Sequence, residues 1–598
     1  MAGRWRRRLA ITALAGALIA VEACRPLEGD FSIPSGRRSS SQRGSSPAPG
    51  PTGAVNVFGG GTTSDEDFLG NGGVSVGPDG VARLAYLATV DSNGDGAFVS
   101  PPDTTQVRYV RRRTNGTWTS PIGLSSTDAD LKSLPALAVS GAGANVNVAF
   151  VFWREENGGT GQVRFSRVSA TDPPTVLTGG TLGVVISDNV APVGISGGAI
   201  FGGVSTAPVA TPDLLDGTIY AAWSQVFGDD ECFVVARYAG GGPGLSAGEL
   251  NDPNEKTAMT VDGVGGAATN GGTILLVATP VPAADASGTL HAVYVTTETN
   301  GAAGSVAVRN RTRTAPGVYS PGAPGELVSD VVGGSYTNPV SAIETDGDVY
   351  VAWGQGLSGA PTTTVRHARR GAGLGAFEPD VVAVAAVVAP TQFARVAINL
   401  GGSVPVVAYK RQDAAGGALL VGAVVGTANA SGPFGGEQVL HAATLPEAGE
   451  RAGRIESVRD SSGRVAVVYD VPAAAGGVME AFGAIRPAVG AFGGEANLSR
   501  TGVVAVLSRV AGAAQIPAGG RFAWLNGAAG SPREVVTATF TGGAFGAATN
   551  ISVSATTDSL GGGGDPGVVG LFGTFAGTTH VWWRERLGAV QRDIFFVQ

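Results

Sequence analysis

Asp346-Gly-Asp-Val-Tyr-Val-Ala-Trp353 is the unit that the rest of this 598-residue chain repeats. The Asp-Gly pair predicts a tight hairpin turn, because both residues tolerate positive φ. The run from Val349 to Trp353 is apolar at every position and rich in β-branched and aromatic residues. Such a run is typical of a strand that is buried on both faces. We therefore expect an all-β protein built from repeated buried strands.

The same pattern, a glycine followed six residues later by an aromatic residue, recurs in strict or looser form along the chain. The aromatic landmarks lie 55 to 73 residues apart, which indicates a repeat architecture. A second landmark, Gly-x-aromatic, follows the first by 21 to 32 residues in most units, so two markers keep the same period. The first landmarks are Tyr86, Phe150, Trp223, Tyr294, Trp353, Tyr409, Tyr469, Trp524 and Trp583.

Each unit divides into four predicted strands. In the fifth unit they cover about residues 338–344, 348–353, 363–368 and 378–384. Four antiparallel strands per repeat, arranged radially, are the plan of a β-propeller blade. The pattern predicts one propeller over residues 54–598 with eight or nine blades, nine being preferred although it exceeds the usual range.

The two ends of the propeller predict how the ring closes. The last unit has three strand-like segments, and the chain then stops without a fourth. The segment 54–58 precedes the first full unit and has no blade of its own. Pairing it with the last blade closes the ring and removes an open sheet edge that would favour aggregation.

Composition excludes several classes of protein. The net charge of −8 argues against a nucleic-acid partner, which needs a basic face. Two cysteines provide no disulfide framework. Past the N-terminus the longest apolar run, Val381 to Ala389, is too short to cross a bilayer. We expect a monomer.

Residues 1–23 read as an export signal, with four arginines in the first eight residues and an apolar stretch from Leu9 to Val21. The segment Val21-Glu-Ala-Cys24 resembles a bacterial lipoprotein signal, although Glu22 departs from the consensus. The resemblance implies an acylated Cys24 and an anchor in the outer membrane, facing the periplasm or the cell surface. The alternative is an ordinary secretory signal cut after Ala23, with a secreted product. Residues 24–53 are rich in Ser, Pro and Gly and are predicted to be a flexible tether.

Charged residues gather where the loops between the second and third strands of the units are predicted, and we expect this loop face to bind a ligand. The alternative is a solvated rim that keeps the protein soluble. For an enzyme, the first acids to consider are Glu155, Glu156, Asp229, Asp230 and Glu231; no catalytic residue is assigned. The candidate binding face comprises Arg154, Glu155, Glu156, Asp229, Asp230, Glu231, Lys410, Arg411, Asp413, Arg584, Glu585 and Arg586.

Asp91-Ser-Asn-Gly-Asp95-Gly96 is the sharpest local motif. Oxygen ligands at Asp91, Asn93 and Asp95 followed by glycine resemble the start of a calcium loop. Pro102 stands where an EF-hand has its glutamate, so an EF-hand is rejected and a structural Ca²⁺ is the prediction. The alternative is an Asx-rich turn.

The remaining chemistry-bearing residues are predicted to be structural. The four histidines, at positions 291, 367, 441 and 580, are dispersed over four units and have no ligand partner at metal spacing. Cys232 lies in a strand-like run and is expected to be a buried thiol. The Trp582-Trp583 pair is expected to pack between blades.

The strand–turn–strand rhythm, with an aromatic residue leading into the fourth strand, resembles the sialidase-type, BNR-like propellers over residues 54–598. The resemblance is architectural, because no unit has an intact Asp-box; Asn115-Gly-Thr-Trp118 keeps only its end. The Arg-Ile-Pro motif of sialidases is absent, so no active-site residue carries over. We expect an envelope-anchored binding or scaffold module for a protein or glycan. The alternatives are a glycoside hydrolase or lyase, with acids at the central channel, and a purely structural surface protein.

Overall fold

The structure is a computed structural model that describes forty-two β-strands and one short 3-10 turn, Gly143–Asn145. The predicted signal segment, residues 1–23, and the predicted tether, residues 24–53, lie outside the described residues. In the described part of the chain no helix has the length and apolarity needed to span a membrane. The described residues are 54–58, 64–68, 72–94, 103–157, 160–178, 183–187, 201–204, 206–213, 215–227, 230–238, 256–258, 274–282, 288–298, 305–315, 318–322, 325–329, 332–336, 339–344, 346–357, 362–372, 374–388, 395–412, 419–442, 454–474, 478–499, 506–528, 534–552, 569–574, 577–586 and 592–598.

The strands form nine four-stranded blades in chain order, as the period of the sequence predicted. In several blades the first or the fourth strand is split into two segments that pair with the same neighbour. The first strand, β1 (Val55–Asn56), precedes blade 1. Blade 1 contains β2 (Ser64–Asp67), β3 (Val74–Val76), β4 (Ala82–Val90), β5 (Thr104–Arg111) and β6 (Ile122–Gly123). Blade 2 contains β7 (Ala136–Val139), β8 (Ala149–Asn157), β9 (Thr160–Val168), β10 (Val176–Thr178) and β11 (Val184–Val185). Blade 3 contains β12 (Phe201–Val204), β13 (Val209–Pro212), β14 (Ile219–Phe227), β15 (Asp230–Tyr238) and β16 (Lys256–Ala258).

The next three blades repeat the same plan. Blade 4 contains β17 (Ile274–Pro282), β18 (Gly288–Glu298), β19 (Ser305–Ala315), β20 (Val318–Ser320) and β21 (Glu326–Leu327). Blade 5 contains β22 (Val332–Tyr336), β23 (Val340–Ile343), β24 (Val349–Leu357), β25 (Thr362–Arg370) and β26 (Val381–Val388). Blade 6 contains β27 (Val396–Gly401), β28 (Val404–Gln412), β29 (Leu419–Val425) and β30 (Gln438–Ala442).

The last three blades complete the series. Blade 7 contains β31 (Ile455–Arg459), β32 (Val465–Ala474), β33 (Val478–Arg486) and β34 (Ala496–Asn497). Blade 8 contains β35 (Val506–Ile516), β36 (Gly519–Ala528), β37 (Glu534–Thr541), β38 (Ala544–Phe545) and β39 (Thr549–Asn550). Blade 9 contains β40 (Val569–Gly573), β41 (Thr579–Arg586) and β42 (Arg592–Val597), and it takes β1 as its fourth strand.

The motif that opens the repeat behaves as expected in blade 5. Gly347 adopts φ 96°, a region that favours glycine, and lets the turn join β23 to β24. Ser341 and Ala368 both pair with Val351, so the strand is hydrogen-bonded on both edges. The side chain of Trp353 is fully buried. The strand continues to Leu357, four residues beyond the predicted end.

The innermost strands close a ring. Each contacts the innermost strand of the next blade, and β40 of blade 9 contacts β3 of blade 1. The predicted closure is confirmed, because Val55 pairs with Phe596 and Asn56 with Phe595 in the antiparallel pair β1–β42. The order of innermost strands around the ring is β3, β7, β13, β17, β23, β27, β31, β35, β40.

The core lies between blades. Nine apolar clusters occur in the described part of the chain, and each combines buried side chains of two neighbouring blades. One cluster joins Phe150 of blade 2 to Trp223 of blade 3, and another joins Tyr86 of blade 1 to Trp582 of blade 9. Both faces of every blade are therefore buried, which explains why strands read as apolar runs. The expected packing role of Trp582 and Trp583 is met, since both are fully buried in inter-blade clusters.

The landmark of the second unit needs a correction. The sequence predicts Phe150 as the aromatic landmark of this unit, but Trp153 occupies the position that Trp223 has in blade 3. Each of these indoles donates its N–H to the side chain two residues later, Glu155 or Gln225. The sequence AFVFW at residues 149–153 offers three aromatic residues, and only the strand register separates them.

Candidate functional site

The propeller has two faces with different construction. Turns between the first and second strands, and between the third and fourth, lie on one face, called here the turn face. Loops between the second and third strands, and the connections between blades, lie on the other, the loop face. This division follows from the antiparallel order of the strands within each blade.

On the turn face, successive first-to-second turns are hydrogen-bonded to one another. Arg83 Nη2 of blade 1 donates to the carbonyl oxygen of Asn147 in blade 2, at 3.0 Å. Ser140 Oγ of blade 2 donates to the carbonyl oxygen of Gly217 in blade 3, at 2.9 Å. Ser403 Oγ of blade 6 donates to Glu344 Oε1 of blade 5, at 2.5 Å. These polar groups therefore stabilise the contacts between neighbouring blades.

The Gly-x-aromatic turns of the same face are held by the preceding blade. Gln438 of blade 6 donates from Nε2 to the carbonyl oxygen of Phe492 at 2.8 Å and accepts the Phe492 N–H at 2.7 Å. Glu326 of blade 4 accepts the N–H of Phe377, also at 2.7 Å. The Gly-x-aromatic landmark therefore has the same period as the aromatic landmark of the second strand, because these Gly-x-aromatic turns are bonded to the preceding blade.

Three acids on the turn face lie close together: carboxylate oxygens of Glu344, Asp346 and Asp348 are within 4.8 Å of one another. Asp348 accepts hydrogen bonds from Arg369 Nε at 2.8 Å and from the N–H of Ala372 at 2.7 Å. Because Glu344 is also held by Ser403, two of the three carboxylates already stabilise the turn. We assign this group a structural role.

On the loop face, the residues Arg154, Glu155 and Glu156 lie in a strand, β8, and not in a loop as expected. Glu155 is buried, accepts a hydrogen bond from Trp153 Nε1 at 3.1 Å and forms an ion pair with Arg164, whose Nε lies 3.0 Å from Glu155 Oε1. Arg154 pairs with Glu156 at 2.5 Å and donates to the carbonyl oxygen of Val204 in blade 3, at 2.6 Å. The second strand runs four residues past its landmark, which places these charges against neighbouring strands.

In blade 3 the pattern Trp-x-Gln makes an inter-blade contact that the sequence analysis missed. Gln225 accepts the indole N–H of Trp223 at 3.0 Å and donates to the carbonyl oxygen of Ser187, in blade 2, at 2.7 Å. The residues at the same position of other blades are buried as well. They are Glu155, Gln355 and Glu585.

Other members of the candidate binding face are also engaged by the fold. Lys410 of blade 6 is buried and forms an ion pair with Asp470 of blade 7, whose carbonyl oxygen it contacts at 2.7 Å. Arg584 of blade 9 is buried and pairs with Asp67 of blade 1 at 2.5 Å. Arg411 is partly exposed and pairs with Glu437 at 2.9 Å.

Several predicted residues fall outside these observations. Asp229, Asp413, Asp95 and Cys24 lie outside the described residues. The backbones of Asp230 and Glu231 belong to β15, and that of Arg586 to β41.

The predicted calcium loop is described only in its first half. Asp91 Oδ1 accepts the N–H of Gly94 at 2.6 Å, and Asn93 is exposed. This bond, from a side-chain oxygen to the N–H three residues on, holds a local turn. Calcium binding stays a prediction.

The histidines sit in structural surroundings. Burial, with the charge of Arg370, lowers the pKa of His291 to about 3. Burial lowers the pKa of His367 to about 4, although its Nδ1 contacts the carbonyl oxygen of Ser431 at 2.9 Å. Burial also lowers the pKa of His580 to about 4. Cys232 is buried and forms no disulfide, as expected.

One group of charges on the innermost strands was not singled out from the sequence. Glu456 lies in β31 and is partly buried, as are Arg454 just before that strand and Arg395 just before β27. Burial raises the pKa of Glu456 to about 7, and the charges of Arg454 and Arg395 only partly oppose this rise. A carboxyl group whose pKa is raised by burial on an innermost strand is a candidate functional group.

Comparisons with known proteins identify no family for this chain. No family model matches the chain, and no curated protein does. The structural neighbours are β-propeller proteins, and at identities of 12–14% a shared fold does not transfer function. The BP39L lectin from Burkholderia pseudomallei is 13% identical, with a TM-score of 0.33 and coverage of 74% of this chain and 99% of the lectin. The α-L-arabinofuranosidase Arb93A from Fusarium graminearum is 12% identical, with a TM-score of 0.31 and coverage of 65% and 92%. A puromycin-hydrolysing peptidase from Mycobacterium tuberculosis is 14% identical, with a TM-score of 0.33 and coverage of 75% and 57%.

Proposed function

We propose that this chain is an exported, lipid-anchored β-propeller that acts as a binding or scaffold module at the cell envelope. Its ligand, a protein or a glycan, is engaged on the loop face. One observation carries the proposal: Arg395, Arg454 and Glu456 are partly exposed at the loop-face ends of the innermost strands, where a dissolved ligand can reach them. Rigid scaffolds commonly present their binding groups in this way.

The burial and ion pairing of the predicted acids favour binding over catalysis. Glu155 is buried against Arg164, and Glu156 pairs with Arg154. A general acid or base must reach the substrate, and a nucleophile must be exposed to it. Because arginines within the sheet already bind these two carboxylates, the carboxylates stabilise the fold and are not available to a substrate.

The binding proposal is tested by screening the mature domain on a glycan array and, in parallel, against envelope proteins. Retention on either, without turnover of a panel of fluorogenic glycosides, is the expected result. Substitutions at Arg454 are expected to reduce retention, whereas Val489→Asp, at an exposed residue of a turn, is expected to leave it intact. Absence of retention on both would contradict binding and favour the purely structural alternative.

The anchor is tested separately. Cys24→Ser is expected to release the protein from the membrane fraction, because acyl chains on that cysteine hold it there. Cys232→Ser is the matched control, since this thiol is buried inside blade 3 and has no part in anchoring. Release by neither variant would contradict the anchor and leave the binding proposal unaffected.

A glycoside hydrolase or lyase is the second candidate, and Glu456 is the observation that favours it. Protonation of a leaving group needs a carboxyl group whose pKa is raised towards neutrality, as that of Glu456 is. Turnover of a fluorogenic glycoside by the parent, lost in Glu456→Gln, would establish this activity. Turnover that survives the substitution would remove Glu456 from the mechanism.

A further inference from the structure

Exposed aliphatic side chains collect on the turn face. Among the turns of this face that the structure describes, five, in different blades, each present a valine or leucine that is 38% to 87% exposed. They lie between the first and second strands of blades 2 and 3, and at the turns between the third and fourth strands of blades 4, 5 and 7. These side chains, called here the apolar tips, are Val146, Leu215, Val318, Leu374 and Val489.

The apolar tips are spread around the ring and do not form one patch. Blades 2 to 5 are consecutive around the channel, and blade 7 lies beyond blade 6. A compact protein partner needs a contiguous apolar patch. A bilayer is laterally continuous and contacts dispersed side chains at the same time, in proportion to the apolar area that they bury. This distribution therefore favours a lipid surface over a protein partner.

Charged side chains of neighbouring turns are held in ion pairs within the fold. On the first-to-second turn of blade 1, Arg83 pairs with Asp79 at 2.7 Å. On the corresponding turn of blade 7, Arg464 pairs with Asp460 at 2.6 Å. Paired charges attract ionic head groups only weakly, so contact between this face and a membrane depends on the aliphatic side chains.

The predicted tether reaches the propeller at the same face. Strand β42 is the third strand of blade 9 and therefore ends at the turn face. Val55 pairs with Phe596, so Ala54 lies beside the end of β42. A flexible chain as long as residues 24–53 has an average span of about 30 Å. The tether therefore keeps this face close to a membrane in which Cys24 is anchored.

We propose that the turn face docks onto the surface of a lipid bilayer, with the apolar tips inserted among the head groups. The loop face then points away from the membrane, towards its ligand. Docking of a few aliphatic side chains is weak by itself, and the tether raises their local concentration at the bilayer. The inference rests on the proposed anchor for its strength in the cell, whereas docking itself is measured on a chain that is not acylated.

Docking is tested with the Cys24→Ser chain, which cannot be acylated, by flotation with an excess of phosphatidylcholine vesicles. We expect part of the protein to float with the vesicles, and the same part at high salt, because paired charges contribute little. Val489→Asp and Leu374→Asp are each expected to weaken the partition about fivefold to tenfold, because each places a charge where an aliphatic side chain leaves water. The double variant should not float detectably.

Val439→Asp is the matched control for these substitutions. Val439 is 48% exposed, similar to Leu374 at 45%. It pairs with Gly422, the middle residue of β29, and so lies on the outer rim away from the turn face. The substitution introduces the same charge and should leave the partition unchanged. Thermal unfolding of every variant verifies that the ring is intact.

The orientation on the bilayer is tested with an environment-sensitive fluorophore on a single introduced cysteine of the Cys24→Ser chain. Val489→Cys places the fluorophore on the turn face, and Leu131→Cys places it on the connection between blades 1 and 2, at the loop face. Cys232 is buried and does not compete for the label. Adding vesicles is expected to shift the emission to shorter wavelength at position 489 only.

Four results would overturn the inference. The first three are an absence of flotation, an equal effect of Val439→Asp and Val489→Asp, and an equal emission shift at positions 489 and 131. The fourth is self-association without vesicles that Val489→Asp abolishes, because the apolar tips would then bind a second copy of the chain. Failure here is distinguishable from failure of the proposed anchor, because Cys24→Ser would still release the protein from the membrane fraction of cells.

Discussion

Val57 donates its backbone N–H to the carbonyl oxygen of Ile594, at 2.9 Å, and so joins the beginning of the propeller to its last strand. The side chain of Val57 is 2% exposed, whereas that of Val55, on the same segment, is 37% exposed. The closure of the ring therefore depends on a short segment with one buried and one solvent-facing valine.

Val57→Asp is expected to lower the free energy of unfolding by about 3 kcal/mol or more, because it places an unpaired charge in the cluster between blades 9 and 1. Val55→Asp is the control and should change stability by less than about 1 kcal/mol. Urea denaturation followed by tryptophan fluorescence measures both. Equal effects of the two substitutions would show that the segment does not close the ring as described.

Gln225→Ala is expected to cost about 2 kcal/mol, because it leaves the indole N–H of Trp223 and the carbonyl oxygen of Ser187 buried without their partner. Gln355 offers a matched control, since it is equally buried but its amide has no hydrogen-bond partner among the described residues. Gln355→Ala should therefore cost less than Gln225→Ala. A larger loss at Gln355 would argue that side-chain volume, and not the inter-blade hydrogen bond, determines stability.

Asp470→Asn is expected to destabilise the fold by about 3–5 kcal/mol, because it leaves the buried ammonium group of Lys410 without its carboxylate. Arg113→Gln breaks the exposed pair with Asp172 and should cost less than about 1 kcal/mol. Chemical denaturation at neutral pH compares the two variants. A small effect of Asp470→Asn would place Lys410 at the surface, where it could still serve the candidate binding face.

Acidification is expected to weaken the fold through its buried histidines. The folded-state pKa values of His367 and His580 are about 4, below the ordinary value of 6.5. Between these two values the unfolded chain therefore binds more protons than the folded chain does. Stability is complete above about pH 6.5 and falls towards pH 4, by up to about 1.4 kcal/mol per pH unit for each histidine. His580→Asn should reduce the slope of unfolding free energy against pH between 6 and 5. An unchanged slope would contradict burial of this imidazole.

Calcium is expected to raise the melting temperature modestly if Asp91, Asn93 and Asp95 hold it, because a ligand that binds only the folded state stabilises that state. Asp91→Ala should abolish the rise. Replacing Asp346, the exposed member of the acidic triad on the turn face, with alanine should leave it unchanged. If calcium does not change the melting temperature of the parent, the motif is an Asx-rich turn and not a calcium site.

The burial of several charged side chains could not be predicted from the sequence. Lys410 and Arg584 read as loop charges, because the strands that contain them extend past their aromatic landmarks and an extension of two or three residues leaves no signal of its own. Their partners, Asp470 and Asp67, belong to other blades. Only the ring brings such distant residues into contact, and contact decides whether a charge is solvated or buried.

The sequence by itself determined a repeat of eight or nine units, the four-stranded unit and the closing segment at residues 54–58. These features depend on local alternation of turn and strand residues, which a chain displays directly. Tertiary structure decided which of three aromatic residues marks blade 2 and which charges fasten blades together. Strand register and the order of blades determine those relationships, and neither is a property of any single segment.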